Sequence, residues 1–215
     1  MVVFMNKAKN VVRYYVLCNK LKNVIRTGWK DWNVKRDRIE SVAEHIFGTQ
    51  SLAIAMYSEY NYDINLEKVI YMLAIHELEE ILIGDFNPFQ ISEEEKEKIG
   101  HKAVIEVLKD LLNKDEIYNL IIEFDKKETM EAKFAYHCDK LECDLQCKLY
   151  DEENCVSLDK QNSNDICENE EVKRLLETEK SWSKMWLEYH RSKFKDDKNF
   201  EEIVDYIKNN EISIN

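Results

Sequence analysis

Apolar residues recur along most of this chain at intervals of three and four, the period of helices that bury one face. Over residues 5–24 the stripe is Val11, Val12, Tyr15, Val16, Leu21 and Val24. A second helix is predicted from Ser41 to about Tyr60, opened by a capping box in which Ser41 and Glu44 satisfy each other's backbone amides. Asn65 caps a third, whose apolar run from Val69 to Ile75 carries on to a stop at Gly84. Ser92 and Glu95 form a second box and open a helix to about Leu112; a further helix covers about 115–125. Residues 131–151 form a long amphipathic helix with Phe134, Ala135, Cys138, Leu141, Leu145 and Leu149 along its stripe. The polar, aperiodic residues 151–168 read as a surface loop. Two more helices follow. The first carries Trp182, Met185, Trp186 and Tyr189 on a face suited to closing the core or a subunit interface rather than binding a cofactor. The second runs from about Phe200 to Lys208.

The chain has 215 residues, of which four are Gly and one is Pro, so strand and turn signals are scarce and an all-α fold is expected. Its length fits one domain, residues 1–215, with a core over about 21–150, the polar loop at 151–168 and C-terminal helices at 169–215. The formal net charge of −12 argues against nucleic acid or an anionic membrane as partner, because both need basic surfaces. The N-terminal apolar stretch is too short for a signal peptide and no apolar run would cross a bilayer, so a cytoplasmic protein is expected. Six cysteines without a CxxC pair fit reduced thiols, and Cys138, Cys143 and Cys147 read as small buried residues.

Chemistry concentrates in Tyr71–Pro88, where an apolar helix ends in His76, Glu77, Glu79, Glu80 and Asp85. Positions four apart share a helical face, so His76 and Glu80 line one side, Glu77 reaches the same point from the next, and Asp85 follows near the mouth of any pocket. This stretch fits a metal centre and also fits a helix end with solvated acids. A short link to the preceding helix makes the two antiparallel neighbours, which would bring His45 near His76 and Glu77. Asp139 borders the apolar stripe of the long helix, as a salt-bridged residue or as the fourth member of a ligand set. In the Gly28-containing loop, Arg26 offers a planar fork to phosphate. Trp29 and Trp32 fold onto the core or flank a pocket. His101 stands among lysines and acids and is expected on the surface.

Four segments, taken together, resemble the HD superfamily of metal-dependent phosphohydrolases, and within it the 5'-deoxynucleotidase group. They are Arg26-Thr-Gly-Trp29, Glu40-Ser-Val-Ala-Glu-His45, His76 to Asp85, and Glu131-Ala-Lys-Phe134 followed by Asp139-Lys-Leu-Glu142, in the family's order and spacing from about Leu21 to Tyr150. The resemblance implies an all-helical HD bundle with a metal between helices, held by His45, His76, Glu77 and Asp139. It implies roles around the attacking water and the substrate for Glu80 and Asp85, and a nucleotide-facing segment containing Arg26 and Trp29. The doublet departs from the family's His-Asp: Glu77 stands where aspartate is usual, and its extra methylene displaces the carboxylate by about one C–C bond. Two imidazoles and two carboxylates suit one divalent ion, such as Mn, Fe, Co, Ni or Zn, with Mg also admitted. Such an ion lowers the pKa of a bound water and offsets phosphoryl charge. The expected reaction is hydrolysis of deoxynucleoside 5'-monophosphates. The alternatives are another nucleotide or phosphate ester as substrate, or a degenerate His-Glu site that binds nucleotide without turnover. The resemblance also admits a homodimer.

Overall fold

The computed structural model describes residues 6–161 and 164–214; the first residue of the predicted N-terminal helix and two positions of the polar loop lie outside them. Among the described residues the chain is helical, with one isolated antiparallel bridge between Ile25 and Ser41. In order, the helices are α1 (Lys7–Cys18), α2 (Thr27–Asp31), α3 (Val42–Tyr60), α4 (Leu66–Ile75), α5 (Glu80–Ile83), α6 (Glu93–Leu108), α7 (Lys114–Lys126), α8 (Met130–Glu152), α9 (Glu170–Glu179), α10 (Trp182–Arg191) and α11 (Lys198–Asn209). The loop at 151–168 is partly ordered as short 3-10 turns at Leu158–Lys160 and Asp165–Glu168.

Local chemistry sets many of the boundaries. Ser41 and Glu44 make the full reciprocal box. Ser92 accepts from the Glu95 amide at 3.3 Å without the return bond. Asn65, Thr129, Asn169, Ser181 and Asp197 cap α4, α8, α9, α10 and α11 through their side-chain oxygens. Asn61, Lys127 and Lys180 close α3, α7 and α9 in the left-handed conformation.

Helix α8 is the axis of the fold. It packs against α3, α4, α7, α10 and α11, and α3 also packs against α4. One apolar cluster joins Met56 of α3, Met72 and Leu73 of α4, Leu141 of α8 and Phe200 of α11. A second gathers Trp29, Trp32, Tyr150, Trp182 and Met185, so the predicted aromatic face of α10 closes the core with Trp182 and Met185. A third sits where α4 and α5 meet α6 and α7.

Three expectations are corrected. Val11, Val12, Tyr15 and Val16 are exposed, because α1 packs through Tyr14, Leu17 and Cys18 instead, flanked by bonds from Asn10 and Arg13 to the 106–110 segment. The helix opened at Asn65 stops at Ile75; residues 76–79 are a turn with three-residue hydrogen-bond spacing, from Leu78 N to Ile75 O and from Glu80 N to Glu77 O. His101 is half-buried and its Nε2 meets Asp125 Oδ2 at 2.8 Å. No helix of the described residues is long and apolar enough to cross a membrane.

Candidate metal centre

The four predicted ligands come together from three places in the chain. His45 lies in the first turn of α3, His76 and Glu77 at the end of α4, and Asp139 midway along α8. All four are buried, and each offers an atom within 4.8 Å of the others. His45 Nε2 is 3.0 Å from Asp139 Oδ1 and 3.8 Å from Glu77 Oε1. His76 Nε2 is 3.6 Å from Glu77 Oε1 and 3.8 Å from Asp139 Oδ1. Ligands held at about 2.0–2.2 Å from one ion stand at most about 4.4 Å apart, so these separations suit a shared cation.

The far side of each imidazole fixes its orientation. His76 Nδ1 donates to the Leu73 carbonyl at 2.8 Å, which leaves Nε2 with a free lone pair; that buried atom has no hydrogen-bond partner. His45 Nδ1 donates to Glu142 Oε2 at 2.5 Å, which turns its Nε2 toward Asp139. An unpartnered, buried nitrogen converging on two carboxylates is costly unless a cation fills the gap, so the donor set fits a divalent ion. Glu77 in place of aspartate does not take the carboxylate out of reach.

Charge compensation around the cluster is dense. Burial would raise the Glu77 carboxyl, but Lys96, His76 and Arg26 hold it down at about 2. Burial opposes a charge on His45, yet Glu142, Cys143 and Asp139 outweigh that and the nearby Arg26, and its pKa stands well above the ordinary value. Lys140 Nζ is 2.8 Å from Asp139 Oδ2. Burial and the adjacent Glu77 push Glu80 well up, and push Glu79 to about 8.

The cluster forms one wall of a cavity of about 460 Å³, a size in the range of small-molecule sites. Arg26 lines it, with Nη1 at 3.4 Å from Glu77 Oε1 and Nη2 donating to Cys143 Sγ at 2.9 Å. Cys143 is therefore a half-buried cavity residue rather than core packing. Asp85 also lines the cavity, where its side chain accepts from the Thr27 amide and its carbonyl accepts from Thr27 Oγ1 at 2.6 Å. Trp29 reaches the cavity but is buried. Its Nε1 donates to Glu40 Oε2 at 2.7 Å, and its ring meets Tyr150 and Trp182 edge-on.

Glu80 is 1% exposed and does not line the cavity. Its Oε1 accepts from Lys96 Nζ at 3.0 Å, while Oε2 is buried without a partner. Glu79 lines the cavity instead, because the turn at 76–79 replaces the helical register assumed from the sequence. Glu142, Lys96 and Glu79 were not assigned from the sequence. Glu142 had a usable signal, lying one helical turn beyond Asp139. Lys96 had none, because its contact with α5 comes from the way α6 folds back.

A family model described as "HD domain" matches residues 18–178. The 5'-deoxynucleotidase HDDC2 of Dictyostelium discoideum is 32% identical over 152 residues, covering 67% of this chain and 79% of that protein. The 5'-deoxynucleotidase HDDC2 of Xenopus laevis is 34% identical over 148 residues, covering 67% and 71%. Among solved structures, a predicted metal-dependent phosphohydrolase from Magnetospirillum magnetotacticum MS-1 aligns with a TM-score of 0.59 at 22% identity, over 94% of this chain and 98% of that one. The PH0347 protein from Pyrococcus horikoshii OT3 aligns with a TM-score of 0.63 at 24% identity, over 92% and 98%. At these identities the structural likeness speaks for the fold.

Proposed function

The chain belongs to the HD domain family, and from that premise we propose that it is a metal-dependent phosphohydrolase that releases phosphate from deoxynucleoside 5'-monophosphates. The observation that carries this reading is the buried, unpartnered His76 Nε2, facing His45, Glu77 and Asp139 on the wall of a nucleotide-sized cavity. The substrate class follows the relatives named 5'-deoxynucleotidase. We take residues 1–215 as one HD unit, since Trp182 of α10 packs against Trp29 and Trp32 near the start of the chain, and we propose that it acts in the cytoplasm.

In this reading His45, His76, Glu77 and Asp139 hold one divalent ion, drawn from Mn, Fe, Co, Ni, Zn and Mg. When bound, the ion supplies Lewis acidity to a water and to a phosphoryl oxygen. Glu142 keeps His45 in the ligating tautomer. Glu80, whose carboxyl burial and the adjacent Glu77 raise well above the ordinary range and whose Oε2 has no partner, would return a proton to the site through its edge with Glu77 and Glu79. Arg26 presents its guanidinium to the phosphoryl group. Asp85, clasped by Thr27, accepts from a sugar hydroxyl or handles the proton that the leaving oxygen takes up. Trp29 acts as a wall, its polar edge being spent on Glu40.

The test combines metal analysis of purified protein with phosphate release from a panel of ribo- and deoxynucleoside monophosphates, with Mn, Co, Zn or Mg added. Bound metal and preferential release from deoxynucleotides are expected. Well-folded protein with neither metal nor release would refute the assignment.

A further inference from the structure

The segment between α10 and α11 lies beyond residues 18–178, the part that the family model matches, yet it delivers Lys193 to the cavity that holds the metal cluster. The other basic side chains lining that cavity are engaged. Arg26 meets Glu77, Lys96 meets Glu80, and Lys140 meets Asp139. Lys127 meets Glu93, while the histidines 101 and 190 meet Asp125 and Asp144. Among the described residues, Lys193 alone of these cations has no carboxylate within salt-bridge distance and no side-chain hydrogen bond. The acids whose charge acts on it are already taken: Asp139 by Lys140 and His45, and Asp144 by His190 Nδ1 at 2.7 Å.

Lys193 is half-buried and sits close enough to Lys140 for the two charges to repel. Burial and that repulsion together lower its ammonium to about pKa 8. Two like charges on one cavity wall, one without a counter-ion, are unfavourable in the empty protein and become favourable when an anion enters. A phosphoryl group brings about −1.5 to −2 charges and three acceptor oxygens, which matches the pair.

We propose that Lys193, with Lys140 beside it, forms an anion subsite that receives the phosphoryl group of the substrate. Placing a substrate there rests on the phosphohydrolase reading; the anion site itself does not.

The probe is inorganic phosphate, titrated calorimetrically into metal-loaded protein. Lys193→Met should weaken phosphate binding roughly ten- to a hundredfold, the loss expected for a charge-assisted hydrogen bond. Lys193→Arg should keep most of the affinity. Lys195→Gln, an exposed lysine two residues on, makes the same change in net charge and should leave affinity alone. Without phosphate, Lys193→Met should melt no lower than wild type, because an unpartnered charge has been removed. In turnover its loss should raise KM for nucleotide more than it lowers kcat. The subsite is refuted if wild type does not bind phosphate, or if Lys193→Met binds it as wild type does. It is equally refuted if that variant melts lower with unchanged affinity, the result expected of a structural partner for Asp144. Lys193-dependent phosphate binding in a protein that hydrolyses no monophosphate would sustain the subsite and refute the nucleotidase reading.

Discussion

At the scale of single residues, the centre depends on side chains that would never touch the ion. Glu142 holds His45, and Gly48, one helical turn after His45 on α3, leaves the room that Glu142 occupies. A Cβ at position 48 would collide with the Glu142 carboxylate, with Cγ as well at 3.0 Å. Gly48→Ala should therefore act on the metal site from outside it. We expect Glu142→Gln and Gly48→Ala each to weaken metal affinity, by about ten- to a hundredfold for Glu142→Gln, the usual cost of losing a partner that orients a metal ligand. Equilibrium dialysis against a competing chelator measures this. Full retention of metal by both would remove Glu142 from the site. The four clustered side chains were legible in the sequence because hard oxygen and imidazole donors stand out on apolar helices. Gly48 was not, since a glycine inside a helix gives no hint of which side chain lies over it.

At the scale of elements, what the sequence made readable was local. Caps at Ser41, Asn65 and Ser92 mark helix starts through bonds within three residues, and the first half of α8 buries its stripe at Phe134, Ala135, Cys138 and Leu141. The break at Ile75 was hidden because apolar periodicity runs through Leu78 and Ile81, both buried in the same cluster after the turn. Period three and period 3.6 differ little over four residues, so pattern alone does not separate a turn of this kind from helix. Likewise α1 carries apolar residues on two faces, and the pattern does not show that Tyr14, Leu17 and Cys18 would be the covered ones. The junction of α10 and α11 yields a pH prediction. Glu188 accepts from Lys208 at 2.7 Å and from Arg191 at 3.0 Å. Burial would raise its carboxyl, but these bonds prevail and hold it below the ordinary range. A depressed folded-state pKa contributes stability that is fully present above the unfolded value of about 4.3 and is lost as pH falls through the folded value. Glu188→Gln should thus lower the melting temperature at neutral pH and converge on wild type in acid. Parallel melting curves at all pH values would contradict it.

At the scale of the whole molecule, electrostatics make the ion decisive. The chain carries −12 formal charges, and eight Asp or Glu against five Lys or Arg side chains line the cavity. A divalent cation beside Glu77 and Asp139 would offset their charge for an anionic substrate. In the metal-free protein Glu142, Cys143 and Asp139 favour a proton on His45, outweighing its burial and the nearby Arg26. Metal must displace that proton. We expect net proton release on metal binding, read from calorimetry in buffers of different ionisation enthalpy, and affinity that falls as pH falls. We also expect a chelator to lower the melting temperature, as removing any ligand specific to the native state does. Binding without proton release would show that His45 does not ligate.

The proposed ligands His45 and Asp139 stand 94 residues apart in sequence. An ion that joins them closes a very long loop, and closing such a loop in an unfolded chain costs entropy that grows with its length. During synthesis, therefore, the site has no existence while α3 and α4 are being made. It is completed only after α8 has left the ribosome and docked, so no ion can be clasped by all four side chains before then.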